Sequence, residues 1–132
     1  MRLQIGQVLR SRRRLLGPNQ VAVWADLTGD RNRLHRGHDA LVPGMLIASL
    51  FPALIAEHIP GALYLKQSLA FRRPIRPDQG VTAQITVVDV RTGRRHVRCT
   101  TEAVLDDGTI AVDGQAEFLT PSNIILPPSC PS

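Results

Sequence analysis

From Gly44 the chain reads GMLIASLFPALIAEHIPG, a stretch that is apolar on nearly every helical face and is closed by Pro60-Gly61. It is too long for one strand, and Ser49 and Pro52 interrupt it, so it falls short of the roughly 20 unbroken apolar residues that a membrane-spanning helix needs. A helix without a polar face has to be surrounded by protein. Pro52 removes one backbone donor within it and predicts a bend or a shift in bonding there. After Gly61 the hydrophobic period changes to two. LYLKQSLAF, VTAQITVVDV, RHVRCTTEAVL and TIAVDGQAEFL are strand candidates, separated by the linker from Pro74 to Gly80 and by turns at Thr92-Gly93 and Asp107-Gly108. With an opening strand within Gln4 to Arg14, the expectation is a single α+β domain, a five-stranded antiparallel sheet wrapped around one long helix. That domain takes in residues 1–120, and the Pro- and Ser-rich tail, 121–132, is expected to be poorly ordered or to pack as an extended arm.

A chain of 132 residues fits one such domain and leaves no room for a separate cofactor-binding unit, so one active site is the most expected of it. The net charge is +5, and Lys66 is the only lysine among the sixteen basic residues. Arginine grips phosphate in bidentate fashion, which suits a phosphorylated carrier and equally suits nucleic acid. With one Trp, one Tyr and three Phe there are few stacking platforms, and nucleic acid is not an expected partner. Neither is a membrane. Cys99 in a strand-like run and Cys130 in the tail resemble neither a disulfide framework nor a metal site, and a reducing compartment is the simplest setting. MRLQIGQVLR lacks a signal-peptide apolar core and reads as the beginning of the domain.

The chemistry-bearing side chains concentrate between the two helical stretches. Gly17-Pro18-Asn19 breaks the first strand, and QVAVWADL spaces Val21, Trp24 and Ala25 helically before Gly29 stops it. This delivers the chain to DRNRLHRGHDA, residues 30–40, polar and aperiodic, hence a loop. Asp30 and His35 could share proton transfers, and Gly44 opens the apolar helix, where backbone N–H groups are free and a ligand can approach closely. The plain alternative is a turn in which Asp30 satisfies backbone donors and His35 is solvated. Residue types alone leave both open.

The wider wording is more specific. LTGDRNRLH, PGMLIASLFPALIAEHIPGALYLKQSLAFRRPI and DGQAEFL resemble the MaoC-like (R)-specific enoyl-thioester hydratases and 3-hydroxyacyl-thioester dehydratases, over about residues 3–120. The central string is most similar to mitochondrial-type 3-hydroxyacyl-thioester dehydratases. The resemblance implies a hot-dog fold, a homodimer and an acyl-CoA or acyl-carrier-protein substrate in fatty-acid metabolism, with no cofactor and no metal. The family's T/S-G-D-x-N-P-x-H pattern puts its catalytic pair on Asp30 and His35 and its asparagine on Asn32. Its V-H-G-M-L places the carbonyl-binding glycine N–H on Gly44, and Ser49 matches a supporting serine one turn on. The implied compartment is the cytoplasm, or else the mitochondrial matrix.

Pro43 replaces the usual histidine before Gly44, and Arg33 stands at a common proline. Only eight residues separate His35 from Gly44, where the family places a longer segment. Eight extended residues reach on the order of 26 Å, so distance does not forbid closure and orientation decides it. The short loop keeps two other functions in view, an acyl-thioesterase on the same fold and a catalytically silent acyl-binding or dimerisation module. Arg72, Arg73 and Arg76 are candidates for a carrier phosphate, against a solvated rim. His38 with His35 and Asp39 invites a metal reading, but no further ligand has matching spacing. His58 is expected at a helix C-terminus, His96 on a strand surface, and Thr28 as support for the loop.

Overall fold

A computed structural model describes residues 1–37 and 39–128. The elements run in the order β1 (Val8–Arg10), β2 (Arg14–Leu15), α1 (Pro18–Thr28), a 3-10 turn (Arg33–His35), α2 (Gly44–Ala48), α3 (Leu50–His58), β3 (Leu63–Phe71), β4 (Gly80–Arg91), β5 (His96–Leu105) and β6 (Ile110–Leu119). The sheet is antiparallel throughout, in the order β1-β4-β5-β6-β3, with β2 also paired to β4.

Six strands replace the expected five because the opening strand is broken. Arg10 pairs with Gln84 and Arg14 with Val81, so four steps along one strand face three along the other. The extra residue is a bulge, and Ser11 bridges it: its N–H donates to the Ala83 carbonyl at 2.8 Å and its Oγ accepts from the Ala83 N–H at 3.0 Å.

The apolar helix is also in two pieces. Pro52 cannot donate to the carbonyl four residues back, that of Ala48, and the helix breaks between Ala48 and Leu50. Phe51, Leu54 and Ile55 of α3 are fully buried, facing the inward residues of the sheet, among them Val81, Ile85, Val97 and Phe118. On β5 the alternation is strict, with Val97, Cys99, Thr101, Ala103 and Leu105 buried. Burial pushes the Cys99 thiol up to about 12, since the thiolate would lose its water.

Residues 120–128 pack as an extended arm. Arg95 holds it, its guanidinium donating to the carbonyls of Thr120, Pro121 and Ile124 at 3.2, 2.7 and 2.5 Å. Ile124 is buried, and Ile125 bonds with Met1 and Leu3 through backbone contacts of 3.0 and 2.9 Å. Cys130 lies outside the described residues.

Candidate active site

Helix α1 ends on Gly29, which adopts φ +77° and donates to the Ala25 carbonyl at 2.8 Å, a left-handed cap that turns the chain sharply. A ladder of local bonds then fixes the loop. Thr28 Oγ1 donates to the Trp24 carbonyl and accepts from the Asp30 N–H; Asp30 Oδ1 accepts from the Asn32 N–H; Asn32 Oδ1 accepts from the Leu34 N–H. Each bond spans a few residues, the habit of short polar side chains in turns. Asn32 thereby caps the 3-10 turn that presents His35.

The eight-residue connection closes by pairing its own ends. The Leu41 N–H donates to the Leu34 carbonyl at 2.7 Å, and the Val42 N–H donates to the Ile75 carbonyl at 2.7 Å. His35 Nδ1 lies 2.8 Å from the Leu41 carbonyl oxygen. A carbonyl only accepts, so Nδ1 carries the proton, and in the neutral ring the Nε2 lone pair is free. That nitrogen faces Asp30 Oδ2 at 3.6 Å, beyond a direct hydrogen bond. The His35 side chain is 16% exposed and that of Asp30 37%, so the pair borders solvent without being open to it.

Asp30 and His35 line one end of a cavity of about 420 Å³ that also takes in Gly44. Ile47, Ile75 and Val112 give it an apolar interior, while Arg72 and Arg73 stand at its edge. Gly44 begins α2, and no described residue accepts a hydrogen bond from its N–H. A Cβ on Gly44 would lie 2.5 Å from Cε1 of Phe71, so any side chain there must push that half-exposed ring aside.

Three of the residues singled out from the sequence, Asp30, His35 and Gly44, therefore share one cavity. Asn32 acts on the loop backbone and does not line that cavity. Ser49 is exposed in a separate groove beside Trp24 and Leu27, its Oγ donating to the Leu46 carbonyl at 2.5 Å. Arg72 pairs with Asp113 at 3.1 Å, and Arg76 is outside the cavity. His38 lies outside the described residues, and among those described no three His, Cys, Asp or Glu side chains gather as metal ligands. His58 sits at the end of α3, its Nδ1 3.1 Å from the Leu54 carbonyl oxygen. His96 is on the outward face of β5, its Nε2 3.0 Å from Glu117 Oε1. Sequence reasoning missed Phe71 and the Leu41 carbonyl. The first reads as one more strand apolar residue, and the second belongs to a backbone atom that side-chain pattern does not report.

No family model matches the chain. Over 138 aligned positions it is 36% identical to a mitochondrial 3-hydroxyacyl-[acyl-carrier-protein] dehydratase of Solanum lycopersicum, covering 96% of this chain and 83% of that protein. It is 35% identical over 130 positions to an (R)-specific enoyl-CoA hydratase of Aeromonas caviae, covering 90% and 96%. The tomato alignment is longer than the stretch of this chain it spans, so roughly eleven positions of that protein have no counterpart here. Among solved structures, the (R)-hydratase of Aeromonas caviae superposes with a TM-score of 0.83 at 34% identity, over 90% of this chain and 98% of that one. Relatives of this identity, matched over nearly their whole length by a chain with the same helix-wrapping sheet, place the protein in the MaoC-like family of (R)-specific enoyl-thioester hydratases and 3-hydroxyacyl-thioester dehydratases.

Proposed function

We propose that Asp30 and His35 carry the reaction, and that the Gly44 N–H holds the thioester carbonyl. The reaction is the reversible dehydration of an (R)-3-hydroxyacyl thioester to the 2-enoyl thioester, a hydro-lyase step of fatty-acid metabolism. The observation that carries the assignment is the convergence of Asp30 Oδ2 and His35 Nε2, 3.6 Å apart, in the cavity that begins at Gly44. One hydroxyl oxygen can sit at hydrogen-bond distance, about 2.8 Å, from both atoms at once. Dehydration requires one proton on the pair: the unprotonated member takes the C2 proton while the other protonates the departing hydroxyl, and the roles exchange in hydration. Negative charge developing on the carbonyl oxygen meets the Gly44 N–H.

Asn32 supports the loop through its cap. The placement of Arg72 and Arg73 at the cavity edge suits them to a carrier phosphate, as coenzyme A or acyl carrier protein; Arg76 and Ser49 would act only from outside this cavity. The protein functions as a homodimer in a reducing compartment, the cytoplasm or the mitochondrial matrix.

Purified protein given crotonyl-CoA tests the reading. Loss of enoyl absorbance without free thiol is expected, with Asp30→Asn and His35→Ala slower by about 10²–10⁴-fold. Release of thiol would make the protein a thioesterase. A folded wild type no faster than Asp30→Asn would make it a silent module.

A further inference from the structure

The catalytic pair faces a cavity on each of two sides. A second cavity, of about 520 Å³, lies between α1 and the 30–40 loop. Among the described residues, Asp30 and His35 are the two that line both cavities, so their side chains form the partition between them. The second cavity differs in character. Small residues, Ala22, Ala25 and Ala40, leave it wide, and Asp26, Arg31 and Asn32 give it polar walls. Arg31 and Asp26 pair at 3.2 Å, leaving oxygens and N–H groups on both that water can meet. At about 30 Å³ per molecule the space holds several waters, each with polar partners within reach.

The first cavity has the opposite character, with an apolar interior and an edge of arginines, and it is the one that holds Gly44. A thioester seated there, with its carbonyl at Gly44, stands between the pair and solvent on that side. Yet the reaction consumes or releases one water at those two side chains. Among the described residues, the short connection between His35 and Gly44 leaves a cavity on the α1 side that reaches the same pair, so a second path to it exists.

We propose that the second cavity is the water route of the enzyme: water reaches and leaves the Asp30–His35 pair from the α1 side while the thioester stays bound in the first cavity. This rests on the dehydratase reading above. In dehydration the unprotonated member of the pair takes the C2 proton, the C2–H electrons form the C2=C3 bond as the C3–O bond breaks, the hydroxyl takes a proton from the other member, and the resulting water departs into the second cavity. Another water enters from there and adds back to C3, returning the C2 proton.

Oxygen exchange tests this directly. (R)-3-Hydroxybutyryl-CoA is incubated with enzyme in ¹⁸O-water, and free enoyl thioester is removed by a coupled enoyl reductase. In the wild type, label is expected in the remaining 3-hydroxyacyl thioester faster than enoyl thioester is released, because water exchanges while the enoyl group is held. Ala22→Phe, on the exposed side of α1, places a ring in the second cavity and is expected to lower exchange per release at least fivefold with KM unchanged; Ala22→Leu should fall between. Val23→Phe adds the same ring to the neighbouring residue, outside both cavities, and should leave the ratio as in wild type. An unchanged ratio in Ala22→Phe, or no exchange without release in wild type, overturns the water route while leaving the dehydratase assignment standing. A wild type that releases no enoyl thioester overturns the assignment itself, and the water route with it.

Discussion

Gly44 shows how tightly a single position can be bound by what lies across from it. The Phe71 ring rests where a Cβ would be, and a methyl group there would bring carbons to 2.5 and 2.6 Å, closer than packed atoms come. Phe71 belongs to the last residue of a strand and the glycine to the first turn of a helix, so relief requires moving one of two fixed elements or the ring itself. Gly44→Ala is therefore expected to cost about 1–3 kcal/mol of stability by overpacking, and to lower kcat/KM more than the stability loss explains, since it shifts the N–H assigned to the carbonyl. Urea unfolding and steady-state kinetics on one preparation check both; wild-type kcat/KM in a folded Gly44→Ala protein would remove the glycine from the site.

Helices and strands bring these residues together through two local failures of regularity. The break at Ala48–Leu50, two residues before Pro52 with its missing donor, makes α2 a separate short helix whose first residue, Gly44, lines the cavity that Asp30 and His35 also line. On the sheet, Gly114 allows β6 to lie close against β3: a Cβ there would sit 1.8 Å from the Ser68 carbonyl oxygen, a backbone atom that cannot swing aside. Gly114→Ala should force β3 away from β6 and lower stability by about 3 kcal/mol or more, with hydrogen exchange rising first along Leu63–Phe71. Unaltered protection of β3 in that variant would mean the strands tolerate the methyl group. The same strand ends in Phe71, so a displaced β3 should also open the mouth of the first cavity.

The molecule as a whole leaves one long edge exposed. Among the described residues strand β3 pairs only with β6, and Leu63 and Leu65 on it are exposed. A nine-residue edge with apolar side chains recruits another strand, and a second copy is the partner of the proposed homodimer. Sedimentation should give about twice 14.5 kDa at micromolar concentration; a single monomeric species would exclude that assembly. At the other end, Met1 and Leu3 bond to Ile125 of the arm that Arg95 clamps. Arg95→Ala removes three donors to the arm and is expected to cost about 1–3 kcal/mol, with limited proteolysis cutting after residue 120 well before the sheet unfolds. Equal cutting rates in wild type and variant would show that Ile124 burial alone holds the arm.

Hydrophobic period and turn chemistry made much of this legible in the sequence. An all-apolar helix followed by alternating strands admits few solutions besides a sheet wrapped around it, because each pattern has one face or none to show to water. Asp30, His35 and Gly44 were singled out through the resemblance, residue types alone leaving a plain turn equally open, and the folded chain brings the three to one cavity. The strand break at Ser11, the burial of the Arg95-held arm and the Phe71 ring over Gly44 were not, because each depends on an atom contributed from a distant part of the chain. The orientation of His35 belongs to the same class. Its tautomer is set by the Leu41 carbonyl, and its second face by the space that the short loop leaves beside α1; only the folded chain brings those surfaces to one imidazole.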